Sequence, residues 1–145
     1  MKYFKLWFAL FALNLFFCGC HYTNYMLEVH NSSKQKITVL YSNTVKPSSI
    51  NENNIAYYIA DDEIIKPDSV NTISKPGKQD AWHQYIEEGK DKHLYLFIFS
   101  VDTLKKYDSL YSMGQLSAMG KYLKVFKYSE PELIKMNWKV NYKEN

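Results

Sequence analysis

The sequence predicts a mainly-β, sandwich-like domain of antiparallel sheet with about three short helices. Three observations carry this. Short segments from Tyr25 onward alternate apolar and polar residues with period two. One segment, "HLYLFIFSV", is apolar on both faces and needs cover on both sides. Turn residues punctuate the chain every few positions.

The elements follow in order. "YMLEVHN" places Tyr25, Leu27 and Val29 on one side of a strand and Met26, Glu28 and His30 on the other. "NSSK" turns, and "KITVLYSN" continues with Ile37, Val39 and Tyr41, so the pair reads as a hairpin. Residues 43–54, "NTVKPSSINENN", form a loop between strands. "IAYYIA" sets Ile55, Tyr57 and Ile59 against Ala56, Tyr58 and Ala60, a third strand, and "SVNTISKPG" is a fourth that closes on Pro-Gly. The period then changes. "DAWHQYIEEG" starts at a capping Asp80, stops at Gly89, and puts Trp82, Tyr85 and Ile86 on one helical face. In "HLYLFIFSV", Leu94, Leu96 and Ile98 oppose Tyr95, Phe97 and Phe99. "DTLKKYDSLYSM" reads as a helix capped by Asp102 with Leu104, Tyr107 and Tyr111 inward. "KYLKVFKYS" is a strand, and Ser129 with Glu132 makes a capping box for a short helix through Met136. "WKVNYK" ends with Trp138, Val140 and Tyr142 inward. The sum is an immunoglobulin-like sandwich with helical insertions; the alternative is α+β, with helices packed on one antiparallel sheet.

The N-terminus points to export. Lys2 and Lys5 precede a run from Leu6 to Phe17 that is apolar except for Asn14, and then come Cys18, Gly19 and Cys20. A basic start, a short apolar run and small residues form a secretory signal, and the run is shorter than the ~20 apolar residues of a membrane span. The junction resembles the lipobox of bacterial lipoproteins, with Gly19 before Cys20 and Phe17 where Leu is usual. That resemblance implies cleavage after Gly19 and lipid on Cys20. The alternative is an ordinary cleaved signal with incidental cysteines. The expected organisation is a signal peptide over 1–19, a tether over 20–24 and one globular domain over 25–145. The tether is short, which places Tyr22 and Tyr25 near the membrane interface, where tyrosine is favoured.

From Tyr25 to Tyr142 the chain also resembles a family of small uncharacterised lipoproteins of gut Gram-negative bacteria. The matching phrases are "LYLFIFSVDTLKKY" and "YLKVFKYSEPELIKMNWKVNY". It departs at Lys143, where proline is common, and at Ser100, where an acid is common. The resemblance implies an exported lipoprotein domain and adds no mechanism. In related bacteria acidic residues just after the lipidated cysteine mark export to the cell surface, and "HYTNY" has none, so the expected place is the outer membrane facing the periplasm, with the cell surface as the other possibility.

Composition limits function. The chain has no arginine, and without Lys2 and Lys5 it carries sixteen lysines against fifteen acids. Arginine is the usual reader of phosphate and base edges, so nucleic acid is not the expected partner. Cleavage after Gly19 would leave no thiol in the domain, hence no disulfide, thiolate metal site or cysteine nucleophile. His21, His30, His83 and His93 lack helical metal-pair spacing and read as surface residues. Asp61, Asp62, Glu63 and Asp68 form an acidic run without the Asp-x-Asp-x-Asp-Gly calcium loop. Glu87 and Glu88 diverge on a helix, there is no Gly-x-Ser-x-Gly elbow, and Gly114 and Gly120 do not make a phosphate loop. No catalytic residue and no cofactor is therefore assigned. The one excess is aromatic, at 17% of residues. Trp82, Tyr85, Tyr57 and Tyr58 are the candidate stacking platform for a sugar ring. The leading reading is a membrane-tethered interaction or structural domain with an envelope protein partner. The alternative is a glycan or small-ligand module, and a hydrolase comes third. An aromatic groove would favour the second reading, a convex surface the first.

Overall fold

The computed structural model describes residues 22–47 and 54–144. The cleavage junction, Cys20 and His21 lie outside the described residues. Six strands form two three-stranded sheets: β1 (Thr23–Asn31), β2 (Ile37–Ser42), β3 (Ser69–Pro76), β4 (Leu94–Ser100), β5 (Lys124–Tyr128) and β6 (Lys139–Tyr142). The first sheet has the order β3-β1-β6 and the second β2-β4-β5. Five short helices complete the described chain: α1 (Ile55–Tyr58), α2 (Ala81–Glu88), α3 (Val101–Tyr107), α4 (Met113–Ala118) and α5 (Glu130–Lys135).

The hydrophobic pattern of β4 organises the layers. Leu94, Leu96 and Ile98 join Leu27, Val29, Ile73 and Val140 of the first sheet in one buried cluster. Tyr95, Phe97 and Phe99 face the other way and pack with Ile55, Tyr58, Leu104, Met113 and Leu116 of the helices. The result is a two-sheet core with helices on the outer face of the second sheet. It combines the sandwich with the helix-covered sheet. Helix α2 packs into the sheet–sheet core through Trp82 and Ile86.

Five expectations about the elements and their pairing are corrected. First, β1 and β2 are not a hairpin, since they lie in different sheets. β2 buries both Val39 and Leu40, so it needs cover on both faces and belongs beside β4, in the middle layer. Buried Asn31 fixes the crossing. Its Nδ2 donates to Gln35 O at 2.8 Å and Ile65 O at 3.0 Å, and its Oδ1 accepts from Ser33 N at 3.0 Å.

Second, 55–60 is not a strand. Asn54 accepts from Ala56 N and caps α1, and Ile55 and Tyr58 are buried one helical turn apart. Third, the pairing shift between Asn24 and Leu27 turns Tyr25 outward to 65% exposure while Asn24 is buried. β1 also starts at Thr23, two residues earlier than expected. Fourth, α3 is capped at Ser100, not Asp102, and ends at Tyr107. Asp108, with φ −55° and ψ 142°, ends the helix, Ser109 follows with a left-handed φ of 63°, and Tyr111 lies beyond the helix with its ring exposed. The sheets are also not wholly antiparallel: β1 pairs with β6 in parallel, Val29 opposite Val140.

The C-terminal elements match their sequence signals. Ser129 and Glu132 form the capping box of α5, and Trp138, Val140 and Tyr142 are buried. Trp138 N donates to Leu133 O at 2.7 Å, and Trp138 O accepts from Glu28 N at 2.9 Å. Among the described residues no helix is long and apolar enough to cross a membrane.

Candidate functional site

A cleft of about 740 Å³ opens where the end of β2, α1 and the end of β3 meet α2. Small-molecule sites usually measure about 300–1,000 Å³. Four tyrosines line it, Tyr41, Tyr57, Tyr58 and Tyr85, with Lys75 and Glu63 among the charged groups.

Each ring is held by its element. Tyr41 lies on β2 and meets Trp82 edge-on at 5.0 Å and Tyr85 edge-on at 5.5 Å. Tyr85 comes from α2. Asn43 clamps it at both ends, its backbone N–H donating to the Tyr85 hydroxyl at 3.2 Å and its Nδ2 donating to Tyr85 O at 3.0 Å. Gly89 makes that clamp possible, because a Cβ there would stand 2.6 Å from Asn43 O. Tyr57 and Tyr58 leave α1 as an edge-on pair with centroids 5.1 Å apart. Tyr58 turns into the helix-side core and Tyr57 stays 56% exposed.

The aromatic platform expected from the sequence is therefore brought together in part. Tyr57, Tyr58 and Tyr85 share the cleft, whereas Trp82 is 1% exposed and supports Tyr41 and Tyr85 from within the core. Lys75 covers the Tyr85 face, its Nζ 4.5 Å from that ring's centre and 5.7 Å from Tyr41's. A sugar stacking on Tyr85 would have to displace this cation, so Tyr57 is the open ring of the four. The sequence alone does not bring Tyr41, Lys75, Asn43 and Glu63 to one cleft: Tyr41 reads as core, Lys75 as part of the strand that closes on Pro-Gly, and Glu63 as one of an acidic run without a calcium loop.

The hydroxyls are neutral at physiological pH. Burial pushes Tyr41 up to about 12, with the Tyr85 ring and Glu63 adding to it. Burial first, then Tyr41, raises Tyr58. Hydrogen bonding to the Glu63 carboxylate raises Tyr57. Burial raises Tyr85, although the Asn43 backbone N–H and Ser42 pull it partly back. The cleft thus offers phenol donors and acceptors, one open aromatic face, a lysine ammonium and a carboxylate. Such groups can hydrogen-bond and stack against a polyhydroxylated molecule. Among the described residues lining the cleft, no nucleophile–base pair is in contact.

The other candidates lie elsewhere. Asp61 and Asp62 are exposed on the turn after α1. His83 pairs with Glu130 at 2.7 Å, and His93 stands 3.9 Å from Asp91, which also binds Lys127 at 3.1 Å and the Tyr95 hydroxyl. Among the described residues no group of three or more His, Cys, Asp or Glu is placed to hold a metal ion. No family model, no curated protein and no solved structure matches this chain.

Proposed function

We propose that this chain is a membrane-anchored binding module whose cleft takes a carbohydrate. The observation that carries the reading is the convergence of Tyr41, Tyr57, Tyr58 and Tyr85 with Lys75 and Glu63 on one cleft. The lining mixes aromatic rings with hydroxyl, amide and charged groups, a more polar wall than the mostly apolar one usual for small-ligand sites, and one suited to a hydroxylated ligand. A groove of this kind favours ligand binding over the protein-docking reading, which a convex surface would have supported. Tyr57 supplies the stacking face, and the inner hydroxyls with Asn43 supply directional hydrogen bonds.

The anchor is the lipid on Cys20, with cleavage after Gly19. Only His21 and Tyr22 separate Cys20 from β1, a reach of about 7 Å. The domain would sit against the headgroups of the outer membrane, on its periplasmic side. Each buried CH₂ contributes about 0.8 kcal/mol, so two or more chains hold firmly where one does not.

Binding is tested by screening the full chain in detergent on an oligosaccharide array, followed by calorimetry. Wild type should bind a defined set of glycans, and Tyr57→Ala should weaken binding about tenfold or more, as for exposed aromatic anchors. Equal binding by Tyr57→Ala would remove the cleft from the account. The anchor is tested by labelling with a clickable fatty acid, which should mark wild type and spare Cys20→Ala. Protease treatment of intact cells should leave the domain uncut; loss without lysis would place it on the cell surface.

A further inference from the structure

The cleft carries a cation in an unusual setting. Lys75 Nζ lies over two ring faces, those of Tyr85 and Tyr41, and among the described residues no carboxylate forms an ion pair with it. The rings attract the ammonium through their negative faces, and an ammonium has three N–H donors, so a ligand can accept from it. A second lysine, Lys46, also lines the space. The carboxylate in the cleft, Glu63, lies beside the Tyr57 hydroxyl and, among the described residues, forms no ion pair with Lys75. One cavity is thus lined by an unpaired ammonium, a carboxylate and the open ring of Tyr57.

This arrangement discriminates among sugars. A neutral sugar would use Glu63 and the phenols and leave the ammonium with no charged partner. A phosphate-dense ligand would meet Glu63 at close range. A sugar with a single carboxylate at one end and hydroxyls at the other matches both charges. Building on the carbohydrate-binding reading above, we infer that the sugar is acidic: a hexuronate unit whose carboxylate accepts from Lys75 Nζ, whose hydroxyls donate to Glu63, and whose ring lies on Tyr57. Charge-assisted hydrogen bonds of this kind are roughly twice as strong as neutral ones, and a partly buried pair is screened less by salt than an exposed one.

The test compares oligomers of galacturonate and of glucuronate with their methyl esters, which keep the skeleton and lose the charge. Calorimetry on the full chain in detergent should give the acid form about tenfold tighter binding than its ester. Lys75→Gln should abolish that preference while binding of the ester persists, and Lys75→Arg should retain the preference. Persistent ester binding also shows that the Lys75→Gln variant is folded. Equal affinity of wild type for acid and ester would overturn the hexuronate assignment and leave the carbohydrate-binding reading standing. An unchanged acid preference in Lys75→Gln would overturn the role of Lys75. Binding of no acidic, esterified or neutral oligosaccharide would overturn both readings together.

Discussion

Gly89→Ala links the fold to the cleft and has an effect whose sign can be worked out. The backbone there, φ −68° and ψ 137°, is open to any residue, so alanine would ordinarily gain about 0.4–1 kcal/mol by restricting the unfolded chain. Space decides against it. The new Cβ would sit 2.6 Å from Asn43 O and 3.1 Å from both Asn43 Cβ and Ile86 O. Two of these three atoms are backbone oxygens, so no side-chain rotation relieves the contact. Forced repacking of this kind costs about 1–3 kcal/mol, and displacing Asn43 strains its two hydrogen bonds to Tyr85, each contributing about 0.5–1.5 kcal/mol. The net expectation is a loss of about 1–3 kcal/mol. With a urea slope of about 1–3 kcal/mol per molar, the unfolding midpoint should fall by roughly 1 M. Because Asn43 positions Tyr85 at the cleft, glycan affinity should fall as well. Gly120→Ala is the control: its φ is +67° and its Cβ would meet nothing within 4 Å, so it pays only the left-handed backbone cost and leaves affinity intact. A Gly89→Ala variant as stable as wild type would refute the clamp.

Three further outcomes follow from the packing and the charges. Trp138→Ala, which removes a buried indole packed 6.3 Å from Trp82, should cost about 3–5 kcal/mol in urea denaturation, and an unchanged midpoint would remove Trp138 from the core. His83 has its pKa raised by its hydrogen bond to Glu130 and then by that carboxylate's charge; its contribution is therefore full below the ordinary value of 6.5 and is lost as pH rises through the higher folded-state value. An NMR titration of the His83 ring should show that raised midpoint and its return toward 6.5 in Glu130→Gln. Tyr41, pushed up to about 12, should ionise late in an ultraviolet pH titration compared between wild type and Tyr41→Phe, and the stability tied to its neutral form should fade between pH 10 and about 12; ionisation near 10 would show that the ring is not enclosed.

Much of the fold is legible where a segment's own pattern matches its environment. The two-faced apolar run of β4 announces a central strand, and its odd–even division separates the two cores residue for residue. Ser129 with Glu132, and Trp138 with Val140 and Tyr142, are likewise local signals. Ser112 and Gln115 make a capping box for α4 that is readable by the same rule, although the helical reading of "DTLKKYDSLYSM" runs through Ser112 and hides it. Other features depend on distant partners. "IAYYIA" satisfies period two and one helical turn equally well, and the Asn54 cap tips it to a helix. The bulge that turns Tyr25 outward and the parallel pairing of β6 with β1 come from register between strands far apart in sequence. The same holds for the cleft. Its aromatic members were visible as an excess of rings, but Lys75, Glu63 and Asn43 join them only through the packing of β3, the turn after α1, and α2.

The central claim is that the cleft framed by Tyr41, Tyr57, Tyr58 and Tyr85 is where ligand binds. The most direct measurement is NMR of the full chain in detergent with carbon-13-labelled tyrosine rings, assigned by single Tyr→Phe variants and titrated with oligogalacturonate and with neutral oligosaccharides. The ring signals of Tyr57, Tyr58, Tyr85 and Tyr41 should shift together along one saturating curve, while those of Tyr25, Tyr111 and Tyr142 stay in place. Saturable shifts confined to tyrosines outside the cleft, or no saturable shift with any of these sugars, would contradict it.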